Sequence, residues 1–182
     1  MSIQIEDGKG SGIRAGVDKD NHLLTSARII SIAAFVSEDD GQAYAWNSTY
    51  SAAAGQETIS VQNTSSTLHL HISRIIVAGV EATVHAVLKV TSGTPAGTTI
   101  TGVNCNFASG NVAAATAFGN ASVTGSVTGN IIAHGYHVAT SSFVFEFDDA
   151  VVLSQDDIIA VRSVVGTTGI VYITINGFYS AV

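Results

Sequence analysis

Apolar residues in this chain return at every second position, and no stretch sustains the three-to-four spacing of a helix. Segment 57–63 sets Ile59 and Val61 against Thr58, Ser60 and Gln62. Segment 68–77 sets Leu68, Leu70 and Ile72 against His69, His71 and Ser73. Segment 82–90 sets Val84, Ala86, Leu88 and Val90 against Thr83, His85, Val87 and Lys89. Phe143, Phe145 and Phe147 share one side of 143–148, as do Val171, Ile173 and Ile175 near the end. Side chains alternate across a strand, so each segment reads as a strand with one core face, and the aromatic side of 143–148 must be buried.

Residues 28–36, RIISIAAFV, add a further predicted strand, and SEDDG then supplies turn chemistry. Between 91 and 141 the chain is rich in Gly, Ser, Thr, Ala and Asn, with a turn around its single proline, Pro95. This region is too polar for a core and too β-branched for a helix, so short strands and ordered loops are expected. With 182 residues there is material for one core and an arm. Short strands with regular turn signals and no helix describe an all-β protein, a jelly-roll-like antiparallel β-sandwich. Residues 1–50 are expected to form an extended N-terminal arm with a short strand, and 51–182 the sandwich.

Segment 153–165, LSQDDIIAVRSVV, places Asp156 and Asp157 directly against an aliphatic run. Adjacent carboxylates at a strand start diverge, so they are read as a turn that satisfies free backbone groups before Ile159 and Val161 face inward. GTTG at 166–169 is read as the hairpin return into the last strand. Asp148 and Asp149 form a similar pair.

Charge narrows the function. The net charge is −7 with seven scattered Lys and Arg, which leaves no basic footprint for nucleic acid or an anionic membrane. The apolar stretches are too short to cross a bilayer, and MSIQIEDGKGSG lacks the pattern of a secretory leader. A soluble protein is expected. Cys105 is the lone cysteine, so neither an intrachain disulfide nor a cysteine zinc cluster is available.

His69 and His71, two apart on a strand, could reach one ion, as in a cupin. However, Ile75 and Ile76 stand where the next ligand would be sought, so no metal is expected. His69, His71 and His85 are instead read as lining a polar sheet face or a subunit interface. His134 and His137 are placed on the surface or in a loop. The chain has no nucleophile elbow, no phosphate-cradling loop and no base evident beside Cys105, so neither an enzyme nor a cofactor is expected. Tyr44, Trp46 and Tyr50 line one face, as core or interface in preference to ligand stacking.

Three stretches resemble tailed-bacteriophage virion structural proteins. They are GKGSGIRAGVDKDNHLLTSARI, SEDDGQAYAW and TTITGVNCNFASGNVAAATAFGNASVTG. The resemblance implies a decoration or cement protein of the head, a head fibre, or a collar or tail appendage. It also implies a trimeric β-rich module with an extended arm, located in the virion after assembly in the host bacterial cytoplasm, and carries over no catalytic residue. A homotrimer clamping the major capsid protein or neighbouring virion proteins is the expectation, with Gly10, Ser11, Gly12, Arg14, Val17 and Asp18 as the docking arm. The alternative is a receptor- or glycan-binding module using loop residues of 104–141 and Tyr136.

Overall fold

The computed structural model describes residues 16–17, 23–24, 36–50, 54–119, 127–165 and 169–181. Two units are distinguished, residues 1–31 and 32–182. In the first, β1 (Gly16–Val17) pairs antiparallel with β2 (Leu23–Leu24). Most of the predicted strand at 28–36 lies outside the described residues, and its last residue, Val36, opens a turn of π-helix, Val36–Asp40.

The second unit carries β3 (Ala43–Tyr50), β4 (Glu57–Asn63), β5 (Leu68–Gly79), β6 (Thr83–Ser92), β7 (Thr98–Ile100), β8 (Val103–Asn104), β9 (Ala115–Gly119), β10 (Thr128–His137), β11 (Ser141–Leu153), β12 (Ile158–Ser163) and β13 (Val171–Ala181). These form a six-stranded sheet, β10-β6-β12-β4-β9-β7, and a five-stranded sheet, β11-β5-β13-β3-β8. Every pairing is antiparallel. With β7, β8 and β9 set aside, the orders 3-13-5-11 and 4-12-6-10 interleave, which is the double Greek key of a jelly roll. The expected all-β sandwich is the observed fold.

Two boundaries differ from expectation. Ala43–Tyr50, assigned by sequence to the arm, is a strand of the sandwich flanked by β13 and β8. Tyr44 and Trp46 are buried in the core, and Ser48 Oγ donates to Thr58 O in the opposite sheet at 2.8 Å. The expected hairpin at GTTG is not one, because β12 pairs with β4 and β6 while β13 pairs with β3 and β5. Residues 166–168 lie outside the described residues, and between Ser163 and Val171 the chain passes from one sheet to the other; turn residues signal a change of direction but not which strands pair.

The core draws Ile59 and Val61, Leu70 and Ile72, Ile159 and Val161, and Ile173 and Ile175 from both sheets, as the alternation predicts. β6 departs from it. Val87 joins the core with His85 on the same face, whereas Ala86 and Leu88, the predicted core side, are buried on the opposite face. Segment 57–63 is likewise buried on both faces, since Thr58 and Ser60 are covered too. Next to Thr58 a register shift brings Glu57 opposite Arg162, whose Nη2 reaches Glu57 Oε1 at 2.6 Å.

β5 shows how a twelve-residue strand stays in the core along its whole length. Ile72 pairs with Gly177 and Arg74 with Asn176, so Ser73 is an extra residue against β13. This bulge shifts the core face from Leu70 and Ile72 to Ile75 and Val77. β11 breaks register at the same level, between Glu146 and Val151, where Asp148 (φ 46°) and Asp149 (φ 62°) adopt left-handed backbone. The Asp148–Asp149 pair is thus part of a backbone irregularity.

The predicted aromatic side of 143–148 packs inward: Phe145 is buried, Phe143 meets it edge-on at 4.9 Å, and Phe147 stacks on it at 6.3 Å. Gly135 on β10 makes room for this row, because a Cβ there would lie 2.4 Å from Phe143 Cε1 and 2.6 Å from Phe145 Cζ. Gly135→Ala should therefore lower stability by about 1–3 kcal/mol, the usual cost of overpacking. Urea denaturation measures it, and an unchanged midpoint would show that the rings are not seated as described.

Candidate functional site

The Asp156–Asp157 turn behaves as predicted. Asp157 Oδ2 accepts from Ser154 N at 3.0 Å, and Asp156, at φ 66°, donates its N–H to Asn63 O at 2.8 Å. Ile159 and Val161 then turn inward. The Asp157 carboxylate thus serves the backbone, while Asp156 Oδ1 accepts from the Gln62 side chain at 3.4 Å.

The three imidazoles do not come together. His69 and His71 lie on the outer face of the five-stranded sheet. His71 stacks on Phe178 at 4.9 Å, and its Nε2 lies 2.9 Å from Ser180 Oγ. Phe178 is itself buried with Val36 and Ala43, a small apolar cluster on that same outer face. His85 belongs to the other sheet and is 1% exposed, so it has no surface to offer a neighbouring subunit. His137, placed by sequence on the surface, is equally buried, while His134 is exposed. Three residues apart on a strand means opposite faces, and only His137 faces in. Among the described residues no group of three His, Cys, Asp or Glu side chains is placed to hold a metal ion. Tyr44 and Trp46 are core residues, as read. Cys105 is exposed, and partial burial raises its thiol pKa. Of the docking residues, Val17 lies in β1, and Gly10, Ser11, Gly12, Arg14 and Asp18 lie outside the described residues.

His85 and His137 form a buried polar pair. The rings stack at 5.1 Å and His85 Nε2 lies 3.2 Å from His137 Nδ1, so one donates to the other. Their outer nitrogens, His85 Nδ1 and His137 Nε2, are buried without a partner, as is the Oγ of Ser163, which pairs across from His85 on β12. Whichever imidazole donates, one orphan is a donor and the other an acceptor. Sequence could have flagged the pair, since His85 alternates with Val87 and His137 with Gly135.

A second construction is on the surface, where sequence reasoning saw only polar loop. Residues 104–111 are held by side chains turned back on the backbone. Asn104 Oδ1 accepts from Asn106 N at 2.9 Å, Asn106 Oδ1 from Ala108 N at 3.1 Å, and Ser109 Oγ from Asn111 N at 3.1 Å. The amide groups brace the loop to the segment before β3. Asn104 Nδ2 donates to Gly41 O at 2.8 Å, Asn106 Nδ2 to Ser37 O at 2.8 Å, and Asn111 Nδ2 to Asp40 O at 2.9 Å. Gly41 is required at the junction: its φ is 60°, and a Cβ would sit 2.3 Å from Ser109 Oγ. At the tip of this braced loop Phe107 is 92% exposed, with Val112 at 77% and Val103 at 52% nearby. Phe107 is therefore held out to solvent by a fixed frame, in the arrangement of a binding anchor.

These features define a jelly-roll sandwich whose braced surface loop holds an exposed phenylalanine. Searches against protein-family models, curated proteins and solved structures found no match.

Two outcomes follow. Burial, with the second imidazole adding to it, lowers the His85 pKa from 6.5 to about 4. Its folded pKa lies below its unfolded one, so the unfolded chain takes up the proton first. Stability contributed by neutral His85 is complete above pH 6.5 and falls by up to about 3 kcal/mol as pH drops towards 4. Urea midpoints across that window should fall more steeply in wild type than in His85→Asn; equal slopes would contradict the assignment. Separately, Asn106→Ala removes one brace and one turn closure. It should speed hydrogen exchange at Ala108 and Ser109 at least tenfold while costing about 1 kcal/mol or less of global stability. Unchanged exchange there would show that the loop is held by other means.

Proposed function

We propose that the protein is a structural component of a tailed-bacteriophage virion, a capsid decoration or cement protein that stabilises the head by clamping neighbouring subunits. One observation carries the reading. Between Lys89 and Glu146 there is no Asp, Glu, Lys or Arg, and this span supplies strands at both edges of the jelly roll. Such a surface, built of Asn, Ser, Thr and small apolar groups, offers broad hydrogen bonding and contact at little cost in side-chain entropy, which suits a lattice contact. The stretch at 98–125 that resembles virion proteins lies within it, and the Gly-Ser-Gly arm adds contact area without enlarging the core. The assembly is a homotrimer, and its partners are the major capsid protein or adjacent virion proteins.

The second reading, a receptor- or glycan-binding module of a fibre, collar or tail appendage, is favoured by Tyr136, 56% exposed on β10. Deletion of residues 2–22 tests the first. The shortened chain should remain folded and lose binding to virus particles that lack this protein, measured by co-sedimentation; retained binding contradicts the clamp. Glycan-array binding that is lost in Tyr136→Ala would replace it with the second reading.

A further inference from the structure

β10 is an edge strand of the six-stranded sheet and pairs on one side only, with β6. Residues 134–137, which end it, alternate: His134 and Tyr136 are exposed, and only Gly135 and His137 are buried. Gly135 has no side chain to contribute. Among these four residues, the imidazole of His137 is therefore the one side chain that fastens the end of the strand to the interior. Residues 138–140 then lead into β11 in the other sheet, and the Thr140 N–H donates to Gly79 O at 2.9 Å. A segment with so few buried apolar groups opens far more readily than the sandwich as a whole.

His137 is fastened to a second imidazole. One proton is shared between His85 Nε2 and His137 Nδ1, 3.2 Å apart, and the outer nitrogen of each ring is buried without a partner. On the β5 side His137 Nε2 lies over the backbone of Gly79, where a Cβ would come within 2.7 Å of it. On β12 the residue across from His85 is Ser163, a neutral hydroxyl with no hydrogen bond, and the neighbouring Arg162 pairs with Glu57 instead. On β6 Thr83 donates its hydroxyl to Val165 O at 2.9 Å. Glu81, in the turn between β5 and β6, lies beside Gly169. The charge that bears on His85 is that of His137, and with burial it holds the His85 pKa down to about 4.

A further proton has no good place in the closed pair. It would put a cation in the interior with no hydrogen-bond acceptor on either outer nitrogen. His85 cannot leave, because β6 is flanked by β10 and β12. His137 can, because it ends an edge strand. We infer that the His85–His137 pair is an acid-sensitive latch: proton uptake turns His137 out to solvent and frees the end of β10 with residues 138–140, while the rest of the sandwich stays folded. Gly135 moves with it and uncovers the rings of Phe143 and Phe145, which it closely contacts when the latch is shut. The direction follows from linkage. An imidazole in solvent titrates near 6.5, so the open form gains over the closed pair as pH falls below that value, by up to about tenfold per unit. The latch goes beyond the proposed function and does not depend on it.

Hydrogen exchange of the full-length chain, expressed as protection relative to an unstructured chain at the same pH, tests this. Between pH 7 and pH 5 the amides of His137 and Thr140 should lose at least tenfold in protection. At pH 5 their exchange should be insensitive to low concentrations of urea, the mark of a local opening, whereas exchange at Ile173 and Ile175 should rise with urea. His137→Leu should abolish the pH-dependent loss at Thr140, and Glu81→Gln should leave it in place. Unchanged protection, exchange at His137 as steeply dependent on urea as that at Ile173, or a response that survives His137→Leu or vanishes in Glu81→Gln would each overturn the inference. Wild type provides a check that needs no variant. The His137 ring resonances should titrate together with the loss of protection, and a ring that takes up its proton while protection at Thr140 is retained would equally overturn it.

Discussion

A strand has two faces, and a twelve-residue strand crossing a twisted, curved sandwich cannot present one parity to the core from end to end without a correction. β5 makes that correction at Ser73, and the five-stranded sheet is organised around it. The extra residue lets Leu70, Ile72, Ile75 and Val77 all enter one core. β11 accommodates the same level with a wider irregularity whose two left-handed residues are both aspartates. Asp tolerates that backbone better than most residues because its short side chain can bond locally. The Asp148–Asp149 pair is thus an accommodation of sheet geometry, as Asp156 and Asp157 are of a turn.

Where one face of a strand is apolar and the other polar, the sequence was sufficient. Phe143, Phe145 and Phe147 on β11 and Val171, Ile173 and Ile175 on β13 follow their alternation, and Tyr44 and Trp46 were recognisable as core. β6 was misread because both its faces are covered, so hydropathy could not say which side joins Val87. The bulge in β5 was visible as apolar residues three apart, Ile72 and Ile75, although alternation alone invites the eye past it. The crossing between β12 and β13 was not legible, since whether neighbouring strands pair or change sheets depends on the closure of the whole sandwich. The anchor loop was hidden for another reason: Asn104, Asn106, Ser109 and Asn111 read as generic loop polarity until their partners at Ser37, Asp40 and Gly41, some seventy residues earlier, are brought beside them.

The interior has a polar end. His85, His137 and Ser163 cluster where β6, β10 and β12 adjoin, and each leaves a polar atom unpartnered. Apolar residues of similar size would seal this end more cheaply, because an orphaned buried donor costs about 1–3 kcal/mol. The arrangement places the least tolerant part of the core beside β10, the edge strand.

Rigidity and the absence of charge acquire meaning together. A phenylalanine on a floppy loop would lose, on binding, much of what its burial contributes, because ordering the loop has its own entropic cost. Here that cost is met during folding, by hydrogen bonds from asparagines to carbonyls already fixed beside β3. An uncharged span would by itself be a liability on an exposed strand edge. On β10 the bulge at Ile132 interrupts the regular ladder, one of the devices by which edge strands avoid pairing with another chain.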